Sequence, residues 1–283
     1  MYNNLKGSDS TRADLHIHST HSDGDKNLSE LIEFAKLKNV DIIGITDHDN
    51  IGIVNDIDGN EEIKVIIGTE YSTMYNGENV HLLGYYMNNK PSEDIIKYLN
   101  KLEEERMLRA KEMLNKLDKI FNIKLDFEEL NTLAKGSIGR PHIAKLINKK
   151  YGIGIEEVFR KMIGDDAPCF IPSSEQDLVS TIKFIKDNDG IAVIAHPIHY
   201  KNTKVEEFID LDIDGIECFY PEHKKKYTKK LVELCKKHNL VITGGSDFHN
   251  IKKFMKHGML GDSVIEDEYI NIFLERIGLK WKK

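Results

Sequence analysis

Between Ala13 and Gly24 the chain reads A-D-L-H-I-H-S-T-H-S-D-G, three histidines and an acidic pair in one short run. If Ala13 to His18 is a strand, its period of two sends Leu15 and Ile17 to one face and His16 and His18 to the other, so that two imidazoles project into one space. The same chemistry recurs along the chain: Asp23 in S-D-G, His48 in T-D-H-D, Glu70 in G-T-E, His81 in V-H-L-L-G-Y, His196 in A-H-P, and Asp247 and His249 in S-D-F-H. These nine ionisable groups, gathered at one place, are electrostatically costly without cations. Imidazoles mixed with carboxylates suit Mn²⁺, Fe²⁺ or Zn²⁺ better than Mg²⁺ or Ca²⁺, which prefer oxygen ligands, and the set exceeds what one metal can use.

The elements that must position them are short β-rich runs: A-D-L-H-I-H, D-I-I-G-I-T-D-H-D, K-V-I-I-G-T-E-Y, V-H-L-L-G-Y-Y, G-I-A-V-I-A-H-P, D-G-I-E-C-F-Y and L-V-I-T-G-G-S-D-F-H. Nearly all the candidate ligands stand at a strand terminus, mostly the C-terminal one. Between the runs lie helical patterns. Asn27 caps L-S-E-L-I-E-F-A-K-L-K-N with Glu30 as capping-box partner, and later helices read as Glu175 to Asp187 and Lys224 to Asn239. Strands alternating with helices predict an α/β fold of parallel βαβ units, a barrel or a doubly wound sheet, with the active side at the strands' C-terminal ends. Residues 92–163 break this rhythm. Ser92 caps a long charged helix running to about Ile120, and D-F-E-E-L-N-T-L-A, R-P-H-I-A-K-L-I-N-K-K and I-E-E-V-F-R-K-M-I follow as shorter helices, so a helical insertion divides an α/β body at 12–91 and 164–283. Its lysines read as a solvated face.

Composition narrows the class. Forty Lys and Arg against 47 Asp and Glu give a net charge of −7, which provides no basic field for long duplex nucleic acid. Cys169, Cys218 and Cys235 are odd in number and lack a C-x-x-C pair, which fits a reducing compartment and buried thiols. The N-terminal stretch is polar, no apolar run reaches membrane length, and nothing marks an obligate protein partner; a cytoplasmic protein is expected.

In order and spacing, H-I-H with S-D-G, T-D-H-D, G-T-E, V-H-L-L-G-Y, A-H-P and S-D-F-H resemble the motifs of the PHP (polymerase and histidinol phosphatase) superfamily of metal-dependent phosphoesterases, from about Ala13 to beyond His249. The resemblance implies a distorted seven-stranded β/α barrel and three divalent transition metals, Mn, Fe or Zn. It places His16, His18, Glu70 and Asp247 on one metal, Glu70, His81 and His196 on a second, and Asp23, His48 and His249 on a third. A hydroxide between two metals would attack phosphorus, with Glu70, His196 and Asp247 in the catalytic centre and His199 able to relay the leaving-group proton.

G-R-P-H-I-A-K-L (Gly139 to Leu146) and A-H-P-I-H-Y (Ala195 to Tyr200) further resemble the branch containing nucleoside 3′,5′-bisphosphate phosphatases and 5′-to-3′ exoribonucleases acting on short oligonucleotides. Pro141 suits a first helical turn, which sets Arg140 and His142 at a helix N-terminus where N–H groups, the dipole and a guanidinium can hold phosphate. His199 stands where relatives often carry Arg, so the local charge depends on pH. His199 and His223 complete the expected substrate contacts. A phosphatase of another small phosphomonoester, such as histidinol phosphate, and a non-catalytic metal or nucleotide sensor are the alternatives. His21 and Asp25 shape the first loop; Asp47 and Asp49 either orient metal-binding histidines or form a turn; His238 and His257 read as surface residues.

Overall fold

The computed structural model describes residues 10–57, 59, 63–172, 176–250 and 258–280. His257 and most of the polar N-terminal stretch lie outside the described residues. One sheet runs β7-β6-β5-β4-β3-β2-β1-β8. Its strands are β1 (Arg12–Ile17), β2 (Ile42–Ile45), β3 (Lys64–Tyr75), β4 (Glu78–Tyr86), β5 (Gly190–Ile194), β6 (Gly215–Phe219), β7 (Val241–Gly244) and β8 (Ile265–Glu266). The seven expected strands are β1 to β7, and β8 adds a two-residue eighth.

That short strand explains the distortion. β8 pairs antiparallel with the start of β1, at Arg12 and Ala13. Only the far end of β1 is left to close the barrel, and it does so against the segment after β7: Asp247 N–H donates to His16 O (2.8 Å) and His18 N–H to Phe248 O (2.9 Å). The closure therefore lies at the level of the histidines.

Two expectations from strand periodicity are corrected. The register of β1 on β2 shifts between Asp14 and Ile17. Leu15 and Ile17 consequently pack into different cores, whereas strict alternation puts them on one face. V-H-L-L-G-Y-Y is not a parallel strand: β3 and β4 form an antiparallel hairpin, and β4 pairs antiparallel with β5 as well. The turn at Asn76 and Gly77, both at positive φ, leaves too little chain for a crossover, and a hairpin is the connection such a length permits. Glu70 accordingly sits inside the 12-residue β3, not at its end.

Alternate strand residues divide between two cores. Leu15, Ile42, Ile66, Leu83, Val193 and Val241 fill the barrel together with Phe273 and Leu274 of α8 (Asp267–Arg276). Phe273 meets Tyr85 edge-on, near the barrel end remote from the histidines. Ile43, Ile45, Ile67, Leu82 and Ile194 face outward onto α1 (Leu28–Leu37), α6 (Leu178–Asp187) and α7 (Lys225–His238). Asn27 and Glu30 form the expected capping box on α1. Glu175, where the sequence pattern starts α6, lies outside the described residues; Asp177 caps that helix.

Helices α2 (Glu93–Phe121), α3 (Phe127–Ala134), α4 (Arg140–Tyr151) and α5 (Ile155–Val158), the last continued by a π turn to Ile163, carry a separate core. Ser92 caps α2 through Ile95 N–H. Ile95, Leu99 and Leu102 of α2 pack with the barrel, while Ala110, Met113, Leu114 and Leu117 build the helical core, which Cys169 extends past residue 163. One continuous helix thus joins the two bodies. Among the described residues no helix is long and apolar enough to cross a membrane.

Gly245 shows how tightly the barrel closes. A Cβ there would lie 2.2 Å from His16 Cβ and 2.5 Å from its backbone nitrogen. Gly245→Ala is expected to destabilise the fold by about 1–3 kcal/mol, the usual range for overpacking, read as a lower denaturant midpoint at unchanged slope. An unchanged midpoint would mean that the β1 and β7 segments can separate freely.

Candidate metal centre and substrate cavity

His16 and His18 leave β1 fully buried. Glu217 of β6 lies 3.0 Å from His16 Nδ1, and a carboxylate only accepts hydrogen bonds, so Nδ1 carries a hydrogen and Nε2 is the nitrogen left to face the cluster. The same reasoning applies to His18. Asp47 accepts from Ser22 Oγ (2.5 Å), which leaves that hydroxyl to accept from His18 Nδ1 (3.3 Å) and frees His18 Nε2. Asp47 also takes the Ser19 amide and hydroxyl. It holds the loop and, through Ser22, orients His18.

The two Nε2 nitrogens face each other across 3.3 Å. His16 Nε2 is 3.3 Å from Glu70 Oε2 and 3.4 Å from Asp247 Oδ1; His18 Nε2 is 3.0 and 3.2 Å from the same oxygens. Donors on a tetrahedral cation with bonds of 2.0–2.1 Å stand about 3.3 Å apart, so these spacings match the edges of such a site. Asp23 Oδ1, His48 Nδ1, Glu70 Oε2 and His196 Nδ1 are buried without a hydrogen-bond partner. Buried lone pairs aimed at one another are unfavourable unless positive charge lies between them. The residues present therefore fit divalent cations.

Among the described residues three donor groups form. His16, His18, Glu70 and Asp247 make the first, the same four residues that the resemblance implies for one metal; the second gathers His18, Asp23, His48 and His249, and the third His48, Glu70 and His81. His18, His48 and Glu70 thus each belong to two groups. His196 stands beside the third group, its Nε2 3.0 Å from Glu70 Oε1, while His81 Nδ1 approaches the same oxygen at 2.7 Å. Backbone strain accompanies the convergence: His196 has φ 23° and Asp247 φ 54°.

The electrostatics are those of a strongly negative pocket. With no cation bound, burial would lower the His18 ring, but the accepting carboxylates of Asp247 and Glu70 and their charge outweigh it and hold the ring up to about 10, a proton on Nε2 then standing where a cation would. Burial would raise Glu70, yet the imidazoles of His48, His81 and His16 keep it well below the carboxylate range. In the absence of a metal, protons partly balance this charge.

A cavity of about 400 Å³ opens over the cluster. One wall holds Asp23, His48, Glu70, His81, His196, Asp247 and His249; the other holds Arg106, Arg109, Arg140, Phe159 and Phe170 from the helical region and the loop behind it. Arg140 donates to Asp165 Oδ1 (2.7 Å), and its guanidinium lies over Phe170. Arg109 is lowered to about 10 by burial and by the neighbouring charges of Arg106 and Arg140. Arg106 pairs with the buried Asp49 and donates to Ser72 Oγ (2.9 Å). Asp49 thereby ties the helical region to the barrel and is no ordinary turn residue.

His199 lines the cavity beside Tyr220, which donates to Asp247 Oδ2 (3.2 Å). His142 and His223 do not reach the cavity lining, contrary to expectation. His142 Nδ1 accepts the Gly139 N–H (3.1 Å), and burial lowers the ring to about 4, so it acts as a neutral helix cap. His223 bonds the Cys218 carbonyl and packs between Tyr220 and Tyr227. His21 meets Asp56 in the first loop, and His238 ends α7 at the surface.

Residues 14–171, more than half of the chain, match the PHP domain family. The chain belongs to that family. It is a metal-dependent phosphoesterase. It is 28% identical over 246 residues to a 5′-3′ exoribonuclease of Haemophilus influenzae, covering 83% of this chain and 89% of that protein. It is also 28% identical over 250 residues to a 3′,5′-nucleoside bisphosphate phosphatase of Chromobacterium violaceum, covering 83% and 86%. In fold it superposes on a Bifidobacterium adolescentis protein described as a metal-dependent phosphoesterase, with a TM-score of 0.82, 23% identity and 93% and 96% coverage.

Sequence reasoning missed Arg106, Arg109, Tyr220 and Glu217. One signal for the arginines was present: only six of the 40 basic residues are arginine, and Arg106 and Arg109 stand one turn apart in an otherwise lysine-bearing helix. Half of all the arginines line this cavity.

The PHP domain is expected to hold more than one metal equivalent per chain after dialysis against Mn²⁺, by elemental analysis, and to lose hydrolysis on exhaustive chelation. At most one equivalent under saturating Mn²⁺, Fe²⁺ or Zn²⁺ would sink the multinuclear reading. Glu70→Gln should fold yet lose nearly all turnover, because an amide is a neutral and poorer ligand; near-normal turnover with metal retained would show that Glu70 is not shared between ions.

Proposed function

We propose that the protein hydrolyses a phosphate ester of a small nucleotide that bears a second phosphate: a nucleoside 3′,5′-bisphosphate, or the 5′-phosphorylated end of a short oligonucleotide. One observation carries the reading. A single cavity joins a wall of imidazoles and carboxylates to a wall of three arginines and two phenylalanines. A simple phosphomonoester needs only the first wall. A second anionic group and a flat base use the other. The exoribonuclease and bisphosphate phosphatase relatives, each matched over most of its length, support the same choice.

His16, His18, Glu70 and Asp247 would hold one ion, and His18, Asp23, His48 and His249 a second. Glu70, His48 and His81, with His196 at the edge, would hold a third. Bound cations of this kind supply Lewis acidity at phosphorus and lower the pKa of a water that serves as nucleophile. Arg140, with Arg106 and Arg109 beside it, holds the phosphate that is not cleaved, and this remote contact orients the reacting one. Phe159 and Phe170 offer the base an apolar face. His199 and Tyr220 form a hydrogen-bonded pair next to Asp247, and His199 Nε2 is the atom through which a proton can move toward the leaving oxygen. The net charge of −7 restricts nucleic-acid substrates to short single strands, and the cysteine usage supports a cytoplasmic site of action.

Adenosine 3′,5′-bisphosphate, 5′-phosphorylated short RNA and histidinol phosphate compared side by side with Mn²⁺ test the substrate class; preference for histidinol phosphate would overturn it. Arg140→Ala should lower bisphosphate kcat/KM by about ten- to more than a hundredfold, the value of a charge-assisted hydrogen bond of roughly 1.5–3 kcal/mol, and should spare p-nitrophenyl phosphate. Equal losses on both substrates would assign Arg140 to the fold or to the reacting phosphate.

A further inference from the structure

Glu217 lies beneath the metal-binding wall, fully buried and outside the cavity lining. Its two oxygens have different partners. Oε1 is 3.0 Å from His16 Nδ1, and Oε2 accepts the backbone N–H of His196 at 2.7 Å. His16 faces the first donor group and His196 faces Glu70 Oε1 beside the third. The His196 backbone is the most unusual in the site, with φ 23° and ψ 61° just before Pro197. Such a conformation persists only where neighbouring groups hold it.

We propose that Glu217 is a positioning residue that sets two metal-binding histidines at once: it fixes the His16 tautomer through the ring and the His196 orientation through the backbone. It touches neither substrate nor reacting atoms. With Oε1 accepting from Nδ1–H, the His16 lone pair at Nε2 is committed to the donor group. With Oε2 holding the amide, the strained turn after β5 swings the His196 ring toward Glu70. The two histidines stack with centroids 5.8 Å apart, so one carboxylate serves both from below. The proposal rests on the metal reading above and adds to it a second link between two donor groups that also share Glu70.

The chemistry makes glutamine a sharp probe. An amide has the same shape but one acceptor oxygen and one NH₂ group. Placed at 217 it can satisfy one of the two donors only. If its oxygen takes the His196 amide, its NH₂ faces His16 Nδ1, the ring shifts its hydrogen to Nε2, and that nitrogen can no longer bind a metal. If its oxygen takes His16, the NH₂ opposes the His196 N–H and the turn is released.

The test compares wild type, Glu217→Gln and Glu217→Ala, with three readouts: metal equivalents after dialysis against Mn²⁺, apparent affinity by chelator competition, and the melting temperature of the metal-stripped protein. Glu217→Gln is expected to melt at or near the wild-type temperature when stripped, while its metal affinity falls about ten- to a hundredfold and its stoichiometry drops, as for other residues that orient metal ligands. Glu217→Ala should lose at least as much affinity. Wild-type affinity in the glutamine variant, or a stripped variant that is already unfolded, would overturn the proposal, the second because it marks a purely structural role. Wild-type protein that holds no more than one ion would remove the underlying metal reading, and that result appears in a separate arm.

Discussion

The structure depends on the cost of burying lone pairs that face one another. At the barrel mouth the Nε2 atoms of His16 and His18 and the carboxylates of Glu70 and Asp247 stand at 3.0–3.4 Å with no hydrogen between several of them. These side chains are buried, so solvation relieves little of the unfavourable contact. Only positive charge at the centre makes the arrangement favourable. The surrounding donors are committed in advance: Glu217 and Asp47, the latter through Ser22, fix ring hydrogens on the outer side of His16 and His18, and the Asp247 carbonyl does the same for His249.

Around that centre the fold supplies convergence rather than regularity. The antiparallel β4 turns the start of its strand toward the C-terminal ends of its parallel neighbours, and so delivers His81 to Glu70 in mid-β3. The register shift in β1 and the positive φ values of His196 and Asp247 belong to the same pattern. Irregular backbone collects where side chains must be aimed, and it is held by the tight closure of β1 against the segment after β7.

The second wall has a different origin. α2 begins in the barrel core and ends in the helical one, so the arginines at its middle stand over the metal wall as part of a rigid element. The Arg106–Asp49 pair fixes that joint: Asp49 follows His48 directly, and its other oxygen accepts the Ser72 amide (2.9 Å). Burial, and then the crowding of the arginines on one another, depresses Arg109, and the crowding favours an anion between them.

The gathering of His, Asp and Glu was legible because the chemistry of a metal site restricts residue type; among the described residues eight of the nine candidates fall in the three donor groups, and His196 stands beside the third. The capping of α1 and α2 and the helical character of residues 92–163 were legible because they are local: Asn27, Glu30 and Ser92 act within one turn of themselves. Tertiary structure alone decided the rest. Which side chain of R-P-H faces the cavity was one such matter: Arg140 lines it, while His142 turns back to cap its own helix. Glu217 and Tyr220 gave no signal, since a buried acid in a strand and a tyrosine after it acquire meaning only from partners such as His16, His196 and Asp247, which stand 21 to 201 residues away and are brought near by barrel closure. Sequence determines the donors a chain can offer; closure of the sheet in three dimensions determines which lone pairs meet, because hydrogen-bond and coordination distances of a few ångströms are set by packing and not by spacing along the chain.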